Sequence, residues 1–140
     1  MNENFITHDK LATLSLFGLG VLVDIRGLYW SISPERVIEE SDFYRALNEV
    51  MPIWIWGLIL LIFGTCLILS SLFFGKRSVN NVSNYFMLIG GLGSFIIHFL
   101  MSSASVYNAI NWLTPAQLIA ITAWLGFVGF LGGLGIYGRK

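Results

Sequence analysis

From Ile53 to Phe74 the chain carries no charged side chain, and three further stretches, Leu11–Trp30, Tyr85–Ser105 and Pro115–Tyr137, are nearly as apolar. The hydrocarbon core of a bilayer is ~30 Å thick, so a helix needs about 20 such residues to cross it. Each run has that length. Hydrocarbon offers no water to satisfy free N–H and C=O groups, so runs of this kind must be helices. The expected fold is therefore all-α: a polytopic membrane protein built as an antiparallel bundle of four transmembrane helices. The spans fall at about 11–30, 53–74, 85–105 and 115–137, and 31–52 forms an external loop segment. Composition agrees, with 56% hydrophobic residues and 11% charged ones, against the ~45–50% apolar share of soluble domains. Residues 1–140 make a single membrane domain, with no linker and no low-complexity tract.

Eight basic residues balance eight acidic ones, so no nucleic-acid or polyacidic partner is implied. Cys66 is the only cysteine, so no intrachain disulfide is possible. Asp24 and Arg26 stand where a signal peptide would have its small-residue cleavage site, so span one is read as a permanent anchor. Lysine and arginine set the orientation. The N-terminal segment, Lys76-Arg77 and Arg139-Lys140 fall on one side. The long loop sets Glu35, Glu39, Glu40, Asp42 and Glu49 against Arg36 and Arg45. Both termini are expected in the cytoplasm and the acidic loop outside the cell membrane.

Local signals refine the boundaries. Met1–Lys10 reads as a polar, loosely ordered leader. Tyr29, Trp30, Trp54, Trp56 and Trp112 read as interfacial aromatics. Ser33-Pro34-Glu35 resembles a helix start, with a cap, a first-position proline and an early acid. Val37, Ile38, Leu47 and Val50 continue an amphipathic stripe suited to a membrane surface. Ser41-Asp42 interrupts it and can restart a helix. Thr114-Pro115-Ala116-Gln117 gives span four a threonine cap.

Each span also carries small or polar residues at near-heptad spacing: Thr13, Gly20, Asp24 and Gly27; Gly57, Gly64 and Ser71; Gly90 and Ser94; Thr122, Gly126, Gly129 and Gly133. Helices in lipid associate through close backbone approach, which small residues permit. The stripes are expected to pack the bundle, with Gly129–Gly133, a formal GxxxG pair, as the candidate seam between copies.

The polar layer is the candidate functional site. Asp24 lies about 14 residues into span one and His98 about 14 beyond Asn84, so both sit roughly 20 Å from the cytoplasmic face. Ser102 follows His98 by one turn. Arg26, two residues from Asp24, points to another side of its helix. Intramembrane charges are costly and mark either a permeation path or a structural pairing. An Asp24–His98 contact, or an Asp24–Arg26 contact between copies, would offset that cost. No metal or haem set accompanies His98, and no cofactor is expected. A Ser102–His98–Asp24 triad lacks a nucleophile elbow and an oxyanion loop. Gly133–Gly138 matches GxGxxG by letter but ends a span, where neither the strand nor the helix of that motif can stand. The chain is therefore expected not to be an enzyme. Asn81-Val82-Ser83 fits the glycosylation pattern but falls on the cytoplasmic side.

The segment Phe43–Gly57, FYRALNEVMPIWIWG, together with the four-span layout, resembles small membrane proteins of unknown role carried by phages and prophages. That resemblance implies a bacterial membrane and a holin-like, pore-forming or host-interfering role. Typical holins have fewer spans and a more charged tail than Arg139-Lys140. The expected function is a homo-oligomer that forms or regulates a permeability pathway. The alternative is an adaptor, such as an immunity or exclusion protein, docking another membrane protein through its helices and acidic loop.

Overall fold

The protein, seen here as a computed structural model, is described over residues 2–76, 81–108 and 112–138. Among the described residues it is helical throughout: α1 (Asn2–Ile32), α2 (Pro34–Glu40), α3 (Asp42–Val50), α4 (Ile53–Phe73), a 3-10 turn (Phe74–Lys76), α5 (Val82–Asn108) and α6 (Leu113–Tyr137). Four of these helices carry segments long and apolar enough to cross a membrane: His8–Ile32, Ile53–Lys76, Val82–Val106 and Leu113–Tyr137. The chain is a multi-pass integral membrane protein. Arg77, Arg139 and Lys140, which carry part of the charge asymmetry, lie outside the described residues.

The spans pack as a bundle in chain order, with α1 on α4, α4 on α5 and α5 on α6. Short connections favour this arrangement for α4 with α5 and for α5 with α6, while α1 and α4 are joined through α2 and α3. The glycine stripes decide the first seam. Gly20 faces Gly64 and Gly27 faces Gly57, so heptad steps on α1 meet heptad steps on α4. A Cβ on Gly27 would stand 2.8 Å from the Gly57 carbonyl oxygen, and one on Gly57 2.7 Å from that of Gly27. Only backbone fits there. The α5–α6 seam is closer still: a Cβ on Gly91 would stand 2.5 Å from the Gly129 nitrogen. Gly90 turns the other way, toward the Phe63 carbonyl on α4, and Gly126 receives the Phe95 ring. Two adjacent glycines thus let α5 pack on both neighbours. Buried residues recur along α4 as Ile53, Gly57, Leu60, Gly64, Leu67, Ser70 and Ser71, alternating four and three apart up to Leu67, as helix packing requires.

Gly129 is spent inside the chain, against Leu92, and Gly133 has only the Leu88 Cδ1 within 4 Å, at 3.5 Å. The tight partner of Gly129 along α6 is Gly132, over the Asn84 carbonyl and Leu88 nitrogen. The GxxxG pair is therefore no free seam between copies: the first glycine is already covered by α5, and the second makes an ordinary contact.

The N-terminal leader is not a loose segment, because α1 begins at Asn2. α6 begins at Leu113, one residue ahead of the expected Thr114 cap. Ser33 occupies the cap position of α2 without a side-chain bond, whereas Ser41 Oγ accepts the Phe43 N–H and restarts the chain as α3. Asn48 Oδ1 accepts the Ile53 N–H and closes the entry to α4.

α2 and α3 cap one end of the bundle. Val37 and Trp30 are buried there, and Tyr44 meets the Trp30 ring edge-on at 5.3 Å between centroids. Trp30 is thus a core residue and not an interfacial anchor, because the cap folds over it. Trp54 and Trp112 are exposed.

Ser83 and Asn84, expected at the edge of a polar loop, lie inside α5 and are buried. Ser70 Oγ donates to the Ser83 carbonyl and Ser83 Oγ to the Ser70 carbonyl, each at 2.9 Å. This reciprocal pair ties α4 to α5 beside the connecting turn. Its burial leaves Asn81-Val82-Ser83 a structural element.

Candidate functional site: polar groups within the spans

α1 places Asp24 and Arg26 on different sides of one helix, since two residues advance about 200° around the axis. Asp24 turns to α4. Its carboxyl lies over Gly64, where a Cβ would collide with Oδ1. Thr65 is its hydrogen-bonding neighbour and the Cys66 thiol stands beside it. Oδ1 is sealed from the surface and has no hydrogen-bond partner.

Arg26 reaches in another direction. Its Nη1 lies 3.8 Å from the Met101 Sδ on α5, a soft acceptor. The guanidinium is within electrostatic reach of His98 on α5, Tyr44 on α3 and Glu40 on α2. Glu40 itself accepts a 2.6 Å hydrogen bond from the Tyr29 hydroxyl. Among the described residues the one ion pair is Arg45–Asp42, exposed on the cap. Burial pushes the Tyr44 phenol above its ordinary range, with Arg26 pulling it back.

His98 is buried, and its Nδ1 lies 2.9 Å from the Ser94 carbonyl one turn earlier. The carbonyl can only accept, so the bond places a hydrogen on Nδ1. Ser102 Oγ donates to the His98 carbonyl and meets Thr122 Oγ1 at 2.8 Å, joining α5 to α6. Thr122 also bonds the Leu118 carbonyl at 2.6 Å.

The four residues expected to form one polar layer thus separate into three places. Asp24 belongs to the α1–α4 seam, Arg26 and His98 to the space beneath the cap, and Ser102 to the α5–α6 seam. No hydrogen bond or ion pair joins Asp24 to His98 among the described residues; each side chain is held by neighbours nearer to it. Ser102 bonds the His98 backbone and not its ring, so no triad forms. The GxGxxG letters lie in and just beyond the end of α6. No cluster of metal-ligating residues occurs among the described residues.

No family model, curated protein or solved structure matches the chain.

Sequence reasoning did not single out Thr65, Met101 or Tyr44 as companions of the charged pair. Tyr44 left a signal, because Phe43-Tyr44 is an aromatic pair inside an otherwise polar loop. Thr65 and Met101 left none, since both read as ordinary span residues.

On the opposite side of the molecule a half-open cavity of about 580 Å³ separates α1 from α6. Ala12, Ser15 and Leu16 form one wall, Val128, Leu131 and Gly135 the other. Its lining is mostly apolar and lies on the Ala12 side of α1 and the Gly135 side of α6.

Proposed function

We propose that this protein is a non-enzymatic, homo-oligomeric membrane protein that forms or regulates a permeability pathway, in the manner of a holin or a small channel. The reading places it in a bacterial cell membrane, with both termini in the cytoplasm and the α2–α3 cap outside. One observation carries it: α1 holds an acid and a base inside a span, and neither makes an ion pair among the described residues. Ionisable groups held inside a span without an ion pair are the groups that permeation sites use. The hydroxyls of Ser102 and Thr122 are committed to local bonds, so a pathway would run between copies.

Ion flux across liposomes containing the purified protein tests this reading. Wild type should conduct, and Arg26→Gln should assemble normally yet change ion selectivity, because a fixed cation is gone. Absence of flux from wild type at every potential and pH would overturn it. The second reading, an adaptor, would then stand on the exposed acidic face of the cap, with Glu35, Glu39 and Glu49.

A further inference from the structure

We propose that Asp24 is a proton-binding site: a carboxylic acid set in the α1–α4 seam, whose O–H is donated to the Gly20 carbonyl one turn back. This inference rests on the surroundings of Asp24 alone, and a protein that conducts nothing would still carry the site.

The first observation is the room made for the carboxyl. Gly64 is the only residue type that leaves its place free, since any Cβ there would strike Asp24 Oδ1. The second is what else converges on that point. The Gly20 carbonyl oxygen lies 2.9 Å from the same Cβ position. A carboxylate oxygen and a carbonyl oxygen are both acceptors, and Oδ1 is sealed from the surface without a hydrogen-bond partner, leaving Thr65 to the rest of the carboxyl. Both oxygens border the space that Gly64 leaves open, and a proton on Oδ1 would give the carboxyl a donor to aim at that carbonyl.

The bond so formed is one this chain already uses on the same helix. Thr13 Oγ1 donates to the Asp9 carbonyl and Ser31 Oγ to the Gly27 carbonyl, both at 2.8 Å and four residues back. Protonated Asp24 would make a third such bond, to Gly20. The carbonyl has a second lone pair to spare beside its helical bond.

The third observation is the charge around the site. α4 presents Thr65 and the Cys66 thiol, neither of them cationic. Arg26, on the same helix, is turned to Met101 and His98 of α5 and to Tyr44 of α3. Glu40 of α2 faces Tyr29 and Arg26. No cation among the described residues is held against Asp24. An anion in hydrocarbon without a counter-charge is strongly disfavoured, whereas a hydrogen-bonded neutral acid is not.

Carbodiimide labelling of the full chain in liposomes tests the site. Dicyclohexylcarbodiimide dissolves in hydrocarbon and reacts with the acid, not the carboxylate. The O–H adds across one C=N bond: the proton goes to nitrogen and the carboxyl oxygen bonds the central carbon. The acyl group then migrates from oxygen to nitrogen, leaving a stable N-acylurea with no change of oxidation state. Peptide mass mapping should find the label at Asp24. A water-soluble carbodiimide should instead mark exposed acids such as Glu35 and Glu39. Labelling of Asp24 should fall roughly tenfold for each pH unit above the point where the proton is lost. Asp24→Asn should lose the label but keep its helix content and detergent melting, because the amide N–H still donates to Gly20. An unlabelled Asp24 at every pH, beside normally labelled Glu35, would overturn the proposal. So would protection by sodium ions, which would make the site one for a metal cation.

Discussion

Ser94 has its hydroxyl sealed within the packed faces of α5 without a hydrogen-bond partner. A buried hydroxyl that bonds nothing costs about 1–3 kcal/mol, and removing it leaves no other group unpaired. Ser94→Ala should therefore hold or raise stability, by up to about 2 kcal/mol, measured by unfolding in mixed detergent micelles. The glycines allow the opposite kind of comparison. Gly91→Ala drives a methyl into the α6 backbone at Gly129 and should cost about 1–3 kcal/mol in the same assay. Gly133→Ala, with only the Leu88 side chain in ordinary contact, should stay within about 0.5 kcal/mol of wild type. An equal loss in both variants would mean that the α5–α6 register differs from the one described. The candidate site was legible at this scale only in part. Asp24, Arg26 and His98 stand out because lipid makes charge conspicuous. Thr65 and Met101 do not, because their role depends on which helix faces which.

At the scale of the element, the α2–α3 cap is the part the sequence described least directly. Its amphipathic stripe and the break at Ser41 were readable, since side-chain capping at Ser41 is a local event. What the stripe covers was not. Val37, Phe43, Tyr44 and Leu47 join the core that holds Trp30 and Ile53, instead of lying out along a membrane surface. Val37 is fully buried, so Val37→Asp should detach the cap. Hydrogen exchange should then lose protection across 34–50 while α5 and α6 keep theirs. A uniform loss across all helices would show that the cap and the spans unfold as one unit. α1 teaches the same lesson in reverse. Its polar leader continues the helix from Asn2, because nothing in that segment stops a helix that has already been nucleated by the span.

At the scale of the whole molecule, the four spans meet their neighbours in the order in which they are made. The proposed orientation, with the cap outside the cell, can be tested directly. Cysteines placed singly at Glu39 and at Ser78, in a Cys66→Ser background, should react oppositely with an impermeant thiol reagent. Only the Glu39 position should react in intact cells, and reaction at Ser78 from outside would reverse the topology. Self-association is expected to use faces that the bundle leaves open. The outer face of α6, with Phe127, Phe130 and Leu134 exposed, is one such face. Light scattering in mild detergent should give a multiple of the chain mass, and a strictly monomeric wild type would remove the pathway between copies.

The sequence by itself determined the number, length and kind of the spans, because a continuous apolar run of about 20 residues in hydrocarbon pairs its own backbone only as a helix. It also determined that Asp24 and Arg26 must each find company, because lipid solvates neither. The tertiary structure decided what that company is. Seven-residue glycine steps on α1 and α4 lock one antiparallel register, and this brings the Gly64 backbone under Asp24 while Arg26 is carried toward α5. Small residues announce that helices will approach closely; only the packed register says which backbone comes to lie beneath which side chain.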